Sequence, residues 1–280
     1  MKAGTLYVVA TPIGNLEDIT FRALRILREV AVVAAEDTRR SGLLLRHFGI
    51  ATPLVSLHQH NEGQKTDSLL SRLRAGESVA LVSDAGTPAV SDPGATLVAA
   101  ARAAGLRVEP IPGASAVMAA ISAAGLADGG HFGFFGFPPI KAKDRECWLN
   151  EALGATASMA VVFFEAPHRV LATLEDLSNR ALDRIIVFRE LTKLHETSYD
   201  GSPGAVAGMI SPVAGEFTIV IPRRPARMAV PERPPDDEIR RLFGQITDKK
   251  ARDAARQVAA ATGLTANEVY DIVRRTGADD

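Results

Sequence analysis

Residues 78–94 read SVALVSDAGTPAVSDPG. Ser78–Ser83 is a short apolar run that ends in a glycine- and proline-bearing loop, which reads as a buried strand and is too short for a helix. In the loop, Gly86 permits close backbone approach or a positive φ. Asp92 followed by Pro93 reads as the N-cap and first residue of a helix running to Ala104. Strand, loop and helix in that order make one βα unit.

The same alternation extends in both directions. Thr5–Ala10, Val32–Ala35, Pro53–Leu57 and Arg107–Ile111 repeat the strand signal, with helices over Thr38–His47 and Thr66–Arg74 between them. A first helix is expected to set Phe21, Leu24, Leu27 and Val30 on one face. This pattern implies a mostly parallel sheet covered by helices. After the Ala-rich helix near Ala114–Ala124 a second α/β unit begins, with strands expected at His131–Phe135, Ala157–Phe164, Arg184–Arg189 and Glu216–Ile221. Helices near Asp144–Leu153, Pro167–Asn179 and Pro203–Met209 fit between them. Pro222–Pro235 is proline-rich and reads as a linker. Beyond it the pattern is helical: Gly263 breaks one helix, Thr265 and Glu268 form a capping box, and a helix-turn-helix-like pair follows. The expected domains are therefore 1–115, 116–224 and 236–280, with 225–235 as the linker.

At 280 residues the chain is long enough for more than one domain. Its 46% hydrophobic and 23% charged content suits a well-filled core, and its net charge of -1 argues against coating nucleic acid by bulk electrostatics. Charge in a local groove is not excluded. The single Cys147 rules out an intramolecular disulfide and points to a reducing, cytoplasmic setting. No signal peptide or membrane span is legible, so no membrane partner is expected. In the tail, Lys249, Arg252 and Arg256 share a helical face, with Arg274 and Arg275 further on. Asp236, Asp237, Asp248 and Asp253 dilute them, so a solvated face explains these charges as well as RNA contact does.

Ligands of open α/β sheets bind beyond the carboxyl ends of the strands. Four loops fit that place: ATPIGN, AEDTRR, SDAGTPAVSDPG and PGAS. None carries a phosphate-binding glycine pattern, so a ligand without a pyrophosphate is indicated. S-adenosylmethionine meets that description. Its carboxylate suits the backbone N–H groups of Gly113–Ser115, and its ammonium suits Asp84.

The segments YVVATPIGNLEDIT, AAEDTR, LVSDAGTPAVSDPG, PIPGASA, FFEAPHR and RELTKLHE occur in the order found in the ribosomal RNA small-subunit methyltransferase I family, a branch of the tetrapyrrole-methylase superfamily. The sequence resembles that family from Gly4 to Ile221, and its C-terminal helices are similar to the family's tail. The resemblance implies an α/β fold of two tetrapyrrole-methylase-type domains with a cleft between them, plus the small helical tail. It also implies a homodimer that uses S-adenosylmethionine, without a metal, to methylate the ribose 2′-hydroxyl of a decoding-centre cytidine in 16S ribosomal RNA of the small subunit. Carried over by position, Pro12, Ile13, Gly14, Asp84, Ala85, Gly86, Thr87, Ser115, Ala116 and Phe164 would bind the donor. Pro138–Lys141 is less basic than the family pattern.

A ribose hydroxyl is a poor nucleophile near neutral pH, so a positioned base or a cation would help. Candidates are Lys193 and Glu190, Glu165 and His168, and Glu36, Asp37 and Arg39. Position within the matched motifs favours Lys193, Glu165, Glu36 and Arg39. Each has a plain alternative: an ion pair for Glu190 and Lys193, a first helical turn for His168, an N-cap for Asp37 and a solvated side chain for Arg39. His58, His60 and Asn61 form a polar loop without metal-site spacing. Two other functions compete: C-methylation of a tetrapyrrole precursor on the same fold, and RNA binding by a non-enzyme.

Overall fold

A computed structural model describes residues 3–126, 130–180, 182–224, 234–246, 250–262 and 264–274. It divides into a unit spanning Met1–Arg223 and a second spanning Arg224–Asp280.

The first unit holds two five-stranded sheets. β1 (Thr5–Val9), β2 (Val32–Ala35), β3 (Leu54–Ser56), β4 (Val79–Val82) and β5 (Arg107–Ile111) form a parallel sheet in the order β3-β2-β4-β1-β5. Its helices are α1 (Phe21–Glu29), α2 (Thr38–His47), α3 (Glu62–Arg74) and α4 (Ala95–Ala103). β2 and β4 are buried along their whole length, as strands covered on both faces must be. One layer packs Val9, Leu27, Val33 and Val82, and the other packs Leu6, Val32, Leu73 and Leu97.

Two details of this half depart from expectation. The inward stripe of α1 is Ala23, Ile26, Leu27 and Val30, so Phe21, at the first helical position, is 94% exposed. The second concerns α4, which begins at Ala95. Its N-cap is Gly94 at φ 117°, in place of Asp92, and a Cβ there would lie 2.6 Å from Leu81. Glu62, at the start of α3, accepts from the N–H groups of Gly94 and Thr96. A carboxylate from another element thus satisfies the helix start, which frees Asp92 for the loop.

The second half comprises α5 (Ala116–Ala123), β6 (Phe132–Phe134), α6 (Ala142–Ala155), β7 (Ala160–Glu165), α7 (Val170–Ser178), β8 (Ile185–Arg189), β9 (Thr197–Gly201), α8 (Pro203–Met209) and β10 (Phe217–Ile221). The sheet order is β6-β7-β10-β8-β9, and only β6 and β7 run parallel. β9, TSYDG, is an edge strand that sequence reading missed: it is polar and mostly exposed, so no apolar run marks it. α5 packs Val117 and Ala120 onto Val162, Ile186 and Val220 of this sheet.

The second unit contains α9 (Asp236–Gly244), α10 (Ala251–Thr262) and α11 (Ala266–Arg274), closed over Ile239, Val258, Val269 and Ile272. The capping box is present: the Thr265 hydroxyl accepts from Glu268 N–H, and Glu268 accepts from Thr265 N–H. Arg252 and Arg256 are exposed. Of the linker, residues 225–233 lie outside the described residues, as do Lys249, Gly263 and Arg275.

Candidate functional site

The carboxyl ends of β1 and β4 are adjacent, and their loops are tied together. Thr11 N–H donates to Gly86 C=O at 2.9 Å and Gly86 N–H to Thr11 C=O at 3.0 Å, while the Thr11 hydroxyl donates to Ser83 C=O. Gly86 sits at φ 76°, and a Cβ there would crowd Ile13 at 3.2 Å. Ala89 and Ser91 in the same loop, and Glu190 and Thr192 after β8, also hold positive φ. Strain of this kind needs firm surroundings and tends to gather at functional sites.

Two cavities open on these loops. The first, of about 350 Å³, is mainly apolar; Ile13, Ala85–Thr87, Ser115, Ala116, Phe164 and Leu191 line it, with Val90, Ser91 and Asp92 at one side. Ser115 caps α5, its hydroxyl accepting from Met118 N–H. The Phe164 ring packs edge-on against Phe134 at 4.9 Å between centroids, and Phe137 lies 5.4 Å away. The second, of about 570 Å³, is lined by Pro12, Gly14, Asp84 and Lys193 together with one side of α2. Ile13, Ala85 and Glu216 belong to both.

The donor-binding candidates are thus distributed. Ile13 and Ala85 touch both cavities; Gly86, Thr87, Ser115, Ala116 and Phe164 line the first; Pro12, Gly14 and Asp84 line the second. The Asp84 carboxylate accepts from Asp37 N–H at 2.9 Å and pairs with Arg40 at 3.6 Å.

Among the proton-transfer candidates, Glu36 follows β2 and Asp84 follows its neighbour β4 by one residue. Burial, with Asp92 and Asp84 nearby, raises the Glu36 pKa above its ordinary value. Asp92 is raised as well, by burial and then by Asp84, against a lowering hydrogen bond with Ser83. Asp37 caps α2, and its bonds to Arg39 hold it down at about 2. Arg39 itself is solvated, with a 90% exposed side chain.

Lys193 Nζ donates to Glu190 Oε1 at 2.8 Å and Glu216 Oε2 at 3.1 Å. Burial opposes its charge, but the two carboxylates prevail and its pKa is raised. The Glu190 pKa is lowered; there too burial works the other way, and the bonds from Lys193 and Glu216 N–H overcome it. Glu165 is fully buried. It pairs with Arg169 at 3.0 Å and Arg145 at 3.8 Å, and accepts from the Thr173 hydroxyl and from Ala166 N–H. His168 is exposed, in the turn preceding α7.

Sequence reasoning missed Asp92, Arg40, Leu191 and Thr218, the last of which also lines the first cavity. Asp92 was assigned to a helix cap. Arg40, next to the chosen Arg39, could have been found by following the helix face. Thr218 and Leu191 carry no local signal. Among the described residues, no group of three or more His, Cys, Asp or Glu could hold a metal ion, and no helix is long and apolar enough to cross a membrane.

Comparison with known proteins bears on this arrangement. The profile of the Tetrapyrrole (Corrin/Porphyrin) Methylases matches residues 5–207. Ribosomal RNA small subunit methyltransferase I of Synechocystis sp. is 43% identical over 99% of each chain. The chain belongs to this methyltransferase I family of tetrapyrrole methylases. The Pseudomonas aeruginosa member of the methyltransferase I family is 53% identical over 70% of each chain. Solved structures share the fold at lower identity. A diphthine synthase has a TM-score of 0.62 at 18% identity, covering 78% of this chain and 90% of its own. A Thermus thermophilus uroporphyrin-III C-methyltransferase complexed with S-adenosyl homocysteine has 0.55 at 20%, covering 78% and 97%.

Proposed function

We propose that this chain methylates a ribose 2′-hydroxyl of small-subunit ribosomal RNA, a decoding-centre cytidine, with S-adenosylmethionine as donor. The observation that carries the reading is the pair of adjoining cavities at the carboxyl end of the first sheet, in a chain whose full-length relatives are named for methylating this RNA.

The first cavity fits the donor. Its volume lies in the range of small-molecule sites, its walls are apolar as an adenosine requires, and the left-handed Gly86 leaves room beside Ile13. Phe164 and Leu191 would hold the adenosine, the α5 start at Ser115 the carboxylate, and Asp92 the ammonium. When bound, the donor supplies an electrophilic sulfonium methyl; its transfer forms a C–O bond to the ribose and breaks the C–S bond.

The protein's task is alignment and proton removal. Ile13 and Ala85 form the wall at which acceptor oxygen and methyl would meet, and the enclosing loops exclude water. Glu36 lines neither cavity, and its raised pKa alone does not make it the group that takes the hydroxyl proton. Lys193 remains a cation and orients the RELT turn through Glu190 and Glu216. Arg145 and Arg169 fix Glu165, which holds the turn carrying Ala166 and Pro167 against the first cavity. A homodimer and a cytoplasmic location belong to the same proposal.

Calorimetry with S-adenosylmethionine, followed by mass spectrometry of small-subunit RNA incubated with donor and protein, tests the reading. A ribose methyl on one cytidine is expected. Absence of donor binding, or transfer to a porphyrinogen and not to RNA, would refute it.

A further inference from the structure

One face of α2 has no partner in the core. Ser41, Gly42 and Leu45 point inward, whereas Arg40, Leu43, Leu44 and His47 recur at i, i+3, i+4 and i+7 and line the second cavity. Leu43 is 63% exposed, and Leu16, on the short turn after β1, forms part of the same lining and is partly exposed too. Two exposed leucines lining one cavity mouth form an apolar patch of the kind that marks an interaction surface.

Hydrogen-bond donors are arranged around them. Arg40 and His47 lie two turns apart, about 10 Å along the axis, and bracket the leucines. Arg40 contacts Asp84 through one nitrogen at 3.6 Å, its side chain 69% exposed, which leaves N–H donors for an anion. His47 is exposed in the last turn, and its ring meets that of Phe48 edge-on. The apolar lip between a guanidinium and an imidazole, both able to donate N–H groups, is continuous with the first cavity through Ile13 and Ala85 and matches one unstacked nucleotide: a base against leucine and the flanking phosphates on Arg40 and His47.

We infer that the Arg40–Leu43–Leu44–His47 face of α2, with Leu16 opposite, is the acceptor subsite, and that it receives a single nucleotide extruded from the RNA with its ribose directed at Ile13 and Ala85. This rests on the reading of the chain as an RNA ribose methyltransferase. It adds where the acceptor sits and that the nucleotide must leave its stack. Recognition is by shape and phosphate charge, so flanking structure in the RNA supplies the selectivity.

The test compares Leu43→Glu and His47→Ala with the unaltered protein. Both positions are exposed, so folding is not at risk. Dissociation constants for S-adenosyl homocysteine are measured by calorimetry, KM and kcat for methylation of small ribosomal subunits by isotope transfer, and mass in solution by light scattering. The expected result is a KM raised at least tenfold in Leu43→Glu and severalfold in His47→Ala, with S-adenosyl homocysteine affinity within twofold and mass unchanged. If the unaltered protein methylates subunits and both variants keep its KM, the subsite is wrong while the activity stands. A change of mass with KM preserved would assign the leucines to contact with a second copy, which also overturns the subsite. If the unaltered protein transfers no methyl to RNA, the underlying reading falls and takes the subsite with it.

Discussion

Gly14, in the loop after β1, lies beneath the stem of Lys193, which follows β8 of the other sheet. A Cβ at residue 14 would stand 2.3 Å from Lys193 Cγ and 3.0 Å from Cε. Asn15 N–H donates to the Thr192 hydroxyl at 3.2 Å beside it. The glycine is thus required by a protein side chain, and it lets loops from the two sheets close on one another at the wall of the second cavity.

Gly14→Ala is therefore expected to destabilise the first unit by about 1–3 kcal/mol, as overpacking does, because the crowded atom is the base of the lysine stem and not its mobile tip. In a Lys193→Ala background most of that cost should vanish. Urea unfolding of the two single variants and the double variant measures the coupling; additive effects would show that the two residues do not meet.

Lys193→Ala should lower kcat roughly 10-fold to 100-fold, and because Glu216, which its charge orders, lines both cavities, donor affinity should fall as well. Lys193→Arg should recover part of the rate. A raised pKa keeps the amine protonated at neutral pH. A kcat that rose on the alkaline limb with deprotonation of this lysine would make it a base and contradict the cationic role.

Glu165→Gln removes the charge between Arg145 and Arg169, whose side chains are 16% and 19% exposed. Two partly buried guanidinium groups then face a neutral amide, and a loss of about 3–5 kcal/mol is expected, at the scale of breaking a buried ion pair. Donor affinity should fall with it, because Ala166 and Pro167 line the first cavity. Unfolding midpoints within error of the unaltered protein would mean that the network adds little.

Much of this architecture could be read from the chain because its strands are short buried runs and its first-half crossovers are ordinary βα units. β2, β5, α2 and α8 fall on their expected bounds. What failed was non-local. Asp92 before Pro93 is a sound capping signal by itself, yet Glu62, some thirty residues earlier, reaches the same N–H groups and wins. Phe21 looked like core because spacing of three residues cannot tell a stripe from its neighbour one position round the helix. The motifs supplied the loops of the site but not the division of labour within them. Which of Asp84 and Asp92 faces which cavity depends on Asp37 N–H and Arg40 holding Asp84 to one side.

Asp92 carries the last prediction, since stability and binding pull it in opposite directions. Burial and then Asp84 raise its folded pKa above the ordinary carboxylate value. The folded state therefore binds more protons than the unfolded state between those two values, and stability falls as pH rises through that window. Asp92→Asn should accordingly be more stable than the unaltered protein at pH 7 and indistinguishable from it in acid below both values. Binding has the reverse sign. An ammonium is attracted by the ionised form alone, so donor affinity should weaken as pH falls through the raised pKa, and the Asn variant should bind weakly with little pH dependence. Thermal unfolding and calorimetry at a series of pH values measure both. A variant that binds the donor as tightly as the unaltered protein would remove Asp92 from the site; equal stability at pH 7 would mean that the Ser83 hydrogen bond offsets the burial of the charge.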